Sequence, residues 1–426
     1  MHPSPERYPA VERTRVAEKV WALSTALCFA AASASRLAGA EDPGIGLEAD
    51  WPSFRGSPGM EGRRGGKVSD RPRRLWKFEA RSEIESTAAI AEGRVFVGVD
   101  DGLIALALEP GEKDGRLLWR FRSDAGVRAS PLAAEGRVYF GDDGGTFRAL
   151  EASSGKEAWK FATESGSEIL SSANFAEGRV AFGSYDATLY CLDAASGKPV
   201  WALETGGPVH SGPAIAEGRV FVAGCDGRLR VVSLAEGKEV SALALGSQSA
   251  ASPCVFGERL FVGTLAGEIL CADWREAKEL WRYADPERRF PFHSSAALAP
   301  LGGGDAAIVV GGRDKLVRAV RARDGKALWT FPAGAEVDAS PAIVGERVFV
   351  ATKAGNLHLL EVSTGKEVWK FEAGSGFAAS PALARGRLVI STEDGQVLCF
   401  DIRPEAGGKD GGGGAPAGGR GRPERP

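Results

Sequence analysis

Tryptophan returns at positions 76, 119, 159, 201, 281, 329 and 369, at intervals of 43, 40, 42, 80, 48 and 40 residues. The double-length interval holds one degenerate copy: Ser241 takes the tryptophan slot of Gly237-Lys238-Glu239-Val240-Ser241, beside Gly365-Lys366-Glu367-Val368-Trp369. The stretch ahead of each tryptophan repeats as well. Residues 136–141 match 93–98, 178–183 and 218–223, with looser copies at 347–351 and 386–391. A chain repeating at this period must stack similar units, as an array or a propeller. The two or three domains that 426 residues would otherwise suggest are thereby set aside.

Each unit reads as four short strands. Ser130-Pro131-Leu132-Ala133 opens the innermost, Val138-Tyr139-Phe140 forms the second, 146–150 the third and 158–161 the fourth. Runs of three to six β-prone residues between Gly, Asp and Ser turns suit antiparallel hairpins, and no interval is long enough for a helical crossover. Strands one to three occur eight times, beginning near Thr87, Ser130, Ser172, Gly212, Ser252, Ser295, Ser340 and Ser380. The eighth copy ends at Cys399-Phe400-Asp401 without a tryptophan strand, whereas Leu75-Trp76-Lys77-Phe78-Glu79 is a fourth strand with nothing before it. Pairing the two closes a ring and removes both bare edges. The expectation is an all-β, eight-bladed β-propeller of four-stranded antiparallel blades over 74–403, closed by the N-terminal strand in the last blade. Of 57 glycines, 40 fall in this span, five per blade, so the glycine excess is turn punctuation and not low complexity.

The remaining segments are read separately. Arg13, Arg15 and Lys19 precede the apolar run 20–34, and Ala38-Gly39-Ala40 offers a cleavage site, so 1–40 is expected to be a signal peptide. An uncleaved anchor helix is the alternative. Leu27 directly before Cys28 is wrong for lipid attachment, so the expected location is the periplasm or cell envelope without a lipid anchor. The first 40 residues carry five Lys/Arg and three Asp/Glu, which leaves 48 basic against 53 acidic residues and no strong pull toward nucleic acid. Residues 41–73 are expected to be irregular, and 404–426, with nine glycines, to be a disordered tail.

The unit Ala149-Leu150-Glu151-Ala152-Ser153-Ser154-Gly155-Lys156-Glu157-Ala158-Trp159 resembles the tryptophan-docking motif of PQQ-type propeller repeats, with close copies at 191–201 and 359–369 and weaker ones at 319–329 and 271–281. The resemblance covers about three quarters of the chain. It implies that Trp76, Trp119, Trp159, Trp201, Trp281, Trp329 and Trp369 dock each blade on a neighbour's glycine turn. Two functional branches share such repeats, quinoprotein dehydrogenases and BamB-like scaffold subunits of outer-membrane assembly. Asp50-Trp51-Pro52-Ser53-Phe54-Arg55-Gly56 is also similar to the opening of secreted bacterial propellers with these repeats.

A quinoprotein would need PQQ with calcium, and that resemblance implies two adjacent cysteines and long loops; neither stands in this sequence. Cys191, Cys271 and Cys399 occupy one slot in separate blades and read as apolar fillers, while a Cys225–Cys254 disulfide between neighbouring blades stays open. No G-x-S-x-G, H-E-x-x-H or P-loop pattern occurs. One ring of positions stands out. Two residues before the start of each innermost strand lie Glu85, Arg128, Leu170, His210, Ala250, His293, Asp338 and Ala378. Innermost strands line the channel of a propeller, so Glu85, Arg128, His210, His293 and Asp338 are expected at one mouth. They form a candidate site for a small ligand or a partner's loop, set against an ordinary solvated rim. His358, between Leu357 and Leu359, is expected to be exposed by strand alternation. The functional expectation is a non-catalytic scaffold for protein partners, with a PQQ-dependent dehydrogenase as the alternative.

Overall fold

The computed structural model describes residues 45–109 and 114–404; the expected signal peptide and nearly all of the expected C-terminal tail lie outside them. Eight antiparallel sheets of four strands follow one another along the chain, and no helix occurs among the described residues. The second blade shows the plan, Leu132–Ala134, Arg137–Gly141, Thr146–Glu151 and Glu157–Ala162, from the channel outward. Ring closure is as expected: Arg73–Glu79 pairs antiparallel with Gln396–Asp401, placing Trp76 opposite Cys399.

Along the second and third strands of each blade both alternating faces are buried, because every blade is sandwiched between two others. Phe147 of the second blade stacks on Phe182 of the third with ring centroids 4.0 Å apart. His358 belongs to the same rule and is 4% exposed, not solvated, with Nδ1 2.5 Å from Glu367 Oε1. Period two correctly turned it away from Leu357 and Leu359; the opposite side is simply another blade face.

Six of the seven docking tryptophans sit where the repeat places them; Trp369 faces no described glycine turn and meets Phe400 of the last blade edge-on at 5.9 Å. The Trp159 indole N–H donates to Ala194 O across the blade boundary at 3.0 Å, and a Cβ added at Gly197 would lie 2.5 Å from its ring. Trp76, Trp119, Trp201, Trp281 and Trp329 donate in the same way to the next blade. Where Ser241 replaces tryptophan, the facing turn carries Ala277 in place of glycine. The gap at that boundary is filled from the other side by Trp274, whose ring meets Phe221 edge-on at 5.2 Å and whose N–H reaches Gly257 O at 2.8 Å. The large ring and the glycine that would admit it are absent together.

The segment ahead of the ring is not a loose lead-in. Residues 46–64 run around one end of the channel and pair with the innermost strands, whose inner edges would otherwise leave amides unbonded. Carbonyls of Trp51, Pro52, Pro58, Gly59, Glu61 and Gly62 accept from the amides of Ile90, Ala133, Ile215, Val255, Leu298 and Ile343. These six amides hold the same position in six different blades. In the third blade Asn174 substitutes a side chain, its Nδ2 donating to Pro58 O at 2.8 Å. Arg63–Arg64 then adds a short parallel strand to Ala342–Val344. Within this plug Trp51 is fully buried beneath the Arg64 guanidinium, which lies 4.5 Å above its ring. The channel is therefore closed at this end.

Candidate functional site

At the other end the expected ring assembles. Glu85, Arg128, Leu170, His210, His293, Asp338 and Ala378 line one cavity of about 330 Å³, and Ala250 joins all of these but Arg128 around a deeper space of about 140 Å³. What positions them is the residue just before each. Ile84, Val127, Ile169, Val209, Phe292, Val337 and Phe377 are buried between blades, with Ser249 in the eighth case. The Val209 amide donates to Ser184 O, and a Cβ at Gly183 would stand 2.2 Å from the Val209 side chain, so a glycine at that strand end lets the loop close down. Each rim side chain is thus pinned by a buried neighbour and projects over the mouth.

Sequence reasoning missed half of the mouth. Arg313 and Lys353 line the same cavity, and Asp143, Glu168, Tyr185 and Glu393 hold its members. The signal was present, since Asp143, Tyr185, Arg313, Lys353 and Glu393 share one slot in the turn after the second strand. Arg128 Nε donates to both Asp143 oxygens at 2.9 and 3.1 Å while its Nη2 lies 3.1 Å from Glu168. Arg313 makes a two-point pair with Asp338, both contacts 2.9 Å, and Lys353 Nζ meets Glu393 at 2.5 Å. The Tyr185 hydroxyl lies 2.8 Å from His210 Nδ1. Burial, then His293 and Arg128, hold the His210 imidazole below its ordinary pKa, and burial followed by Arg313 does the same for His293. Both rings are accordingly uncharged at neutral pH.

Below the rim lies a second ring. Thr87, Ser130, Ser172, Ser252, Ser295, Ser340 and Ser380 are buried, and each hydroxyl accepts a hydrogen bond from the backbone amide of the blade before it. The circuit is open only where Gly212 supplies no hydroxyl. Phe54 of the plug reaches the deeper space from below. The site is a blind polar well.

Four of the five described cysteines are buried within the blades, and Cys225 borders the mouth beside His210. All five within the described residues are unpaired, which rules out the Cys225–Cys254 bridge left open by the sequence. Burial pushes the Cys191 and Cys271 thiols up to about 12, so these are inert fillers. Cys225 alone is partly accessible, although burial and Asp226 raise its thiol too. At pH 8 a thiol reagent is expected to label Cys225 slowly and the four buried ones only after unfolding, as mass mapping would show. No helix among the described residues is long and apolar enough to cross a membrane.

Comparison with known proteins now bears on this geometry. The family described as outer membrane protein assembly factor BamB matches residues 67–175, 166–240 and 313–404, well over half of the chain. The chain belongs to the BamB family. No curated protein sequence matches this BamB-family propeller. Among solved structures it is similar to BamB from Moraxella catarrhalis, with TM-score 0.65 and 18% identity over 80% of this chain and 99% of that one. It is also similar to the quinohemoprotein alcohol dehydrogenase from Comamonas testosteroni, with TM-score 0.69 and 12% identity over 86% and 82%. The computationally designed Ika8 protein, at TM-score 0.67 and 18% identity, covers 78% of this chain with all of its own length. At such identities these likenesses establish a shared fold, and an enzyme, a non-enzyme and a design all carry it.

Proposed function

We propose that this BamB-family propeller is an exported, non-catalytic scaffold that holds protein partners in the cell envelope, directed there by residues 1–40 and not lipid-anchored. The carrying observation is the state of the mouth: its three cationic side chains are each neutralised by a carboxylate of an adjoining loop. Reacting groups in an active site converge on an open point and need shifted, available protons or nucleophiles. Here the charges bind one another and stiffen the loops, which suits a surface for recognition.

The quinoprotein reading meets residues that do not fit it. Calcium would need free oxygen ligands, yet Asp143, Asp338 and Glu393 are all committed to Arg or Lys. No two cysteines are adjacent in the sequence, and of the described ones only Cys225 stands beside the well, next to His210. Two measurements test the scaffold reading. The full chain incubated with PQQ and calcium is expected to give no dye-linked oxidation of alcohols or aldoses; turnover would overturn the reading. Immobilised protein is expected to retain a specific partner from envelope extracts, with retention reduced when Arg128 and Arg313 are reversed to Glu.

A further inference from the structure

The blind well has a chemical polarity that the scaffold role does not use. Its lower ring presents seven hydroxyls that already accept from backbone amides, and no protein acceptor for their protons is present among the described residues. These residues are between 2% and 9% exposed and line the enclosed space, so hydroxyls with protons left to donate favour an acceptor-rich group there. The upper ring has the opposite character. Against Arg128, Arg313 and Lys353 stand Glu85, Asp143, Glu168, Asp338 and Glu393, three positive charges against five negative ones. Glu85 makes no ion pair among the described residues, and the uncharged His293 offers a further acceptor. Leu170, Ala250 and Ala378 supply apolar wall at the rim, above the hydroxyl ring.

We propose that the well binds a small zwitterion, a slender amino acid whose carboxylate enters first and sits on the hydroxyl ring while its ammonium stays at Glu85 and His293. The two levels are two residues apart in the segment leading into each innermost strand, as in Glu85 to Thr87 or Asp338 to Ser340. Two extended residues span at most about 7 Å. That separation suits an ω-amino acid of four or five carbons better than an α-amino acid, whose charges lie too close to reach both rings. The methylenes pass the Leu170 and alanine wall. Phe54 of the plug borders the lower end, so the ligand enters and leaves by the mouth.

The test is calorimetric titration of the full chain at neutral pH with 5-aminopentanoate, glycine, pentanoate and 1,5-diaminopentane, and with a peptide bearing a lysine side chain. Saturable binding of 5-aminopentanoate, at least tenfold tighter than pentanoate or the diamine, is the expected result. Glu85→Gln, a change at an exposed position, should weaken 5-aminopentanoate tenfold and leave the melting temperature unmoved. Ala378→Trp should abolish binding by filling the well. Absence of saturable binding, equal binding of diamine or pentanoate, or an unchanged affinity in Glu85→Gln would overturn the proposal. Tighter binding of the lysine peptide would overturn it in favour of a partner's side chain as the occupant. None of these outcomes depends on whether an envelope partner is found.

Discussion

Replacing Trp76 by alanine is expected to lower stability by about 4 kcal/mol, the scale of a buried Trp→Ala cavity. Trp76 is 2% exposed, its indole N–H donates to Leu108 O at 2.9 Å, and its ring lies where a Cβ on Gly115 would clash at 2.8 Å. Among the docking rings it has a second task, because its strand, Arg73–Glu79, supplies the fourth strand of the last blade from the N-terminal end of the ring. The alanine variant therefore loses burial and weakens closure together. Ser241→Ala makes the control. That position lost its ring, its glycine partner became Ala277, and Trp274 fills the boundary, so a change within about 0.5 kcal/mol is expected, as for other surface substitutions away from special features. Denaturant unfolding followed by tryptophan fluorescence separates the two. Equal stability of Trp76→Ala and the parent would mean that closure does not depend on docking.

The contrast also marks what the sequence makes legible. Tryptophan spacing and glycine turns announce eight blades because each boundary repeats the same steric bargain, and repetition survives one exception at Ser241. The rim ring was readable for the same reason: a fixed offset before each innermost strand brings eight side chains to one mouth. His358 was misread because alternation says which way a side chain points, not whether another blade stands there. Arg313 and Lys353 escaped notice since their slot carries aspartate, tyrosine, cysteine, leucine, arginine, lysine and glutamate in turn, and only the fold shows them to be neighbours. Least legible of all was the plug. Its carbonyls bond to six blades through main-chain groups, which leave no side-chain pattern, and it has no period of its own.

Arg55 is the place where the plug can be broken by one substitution. It is 1% exposed, and its guanidinium donates to Pro341 O at 2.5 Å and to Ala296 O at 3.0 Å, tying the plug to the sixth and seventh blades. No carboxylate faces it. Burial, the larger influence, pushes its pKa down to about 10, with Cys254 opposing weakly, so it remains charged at neutral pH and relies on those carbonyls. Arg55→Met keeps most of the apolar stem but strands both acceptors, and an unsatisfied buried partner costs about 1–3 kcal/mol each. A loss of about 3 kcal/mol is expected from denaturant unfolding. Lysine should not rescue it, since one ammonium on a shorter reach cannot serve two carbonyls in the planar geometry that guanidinium provides. Hydrogen exchange distinguishes a local from a global effect. With the plug loosened, the amides of Ile215, Val255, Leu298 and Ile343, which donate to its carbonyls, should exchange faster than strand-centre amides such as Phe182 and Val350. Uniform acceleration throughout would show instead that Arg55 supports the whole ring, and that plug and propeller unfold as one unit.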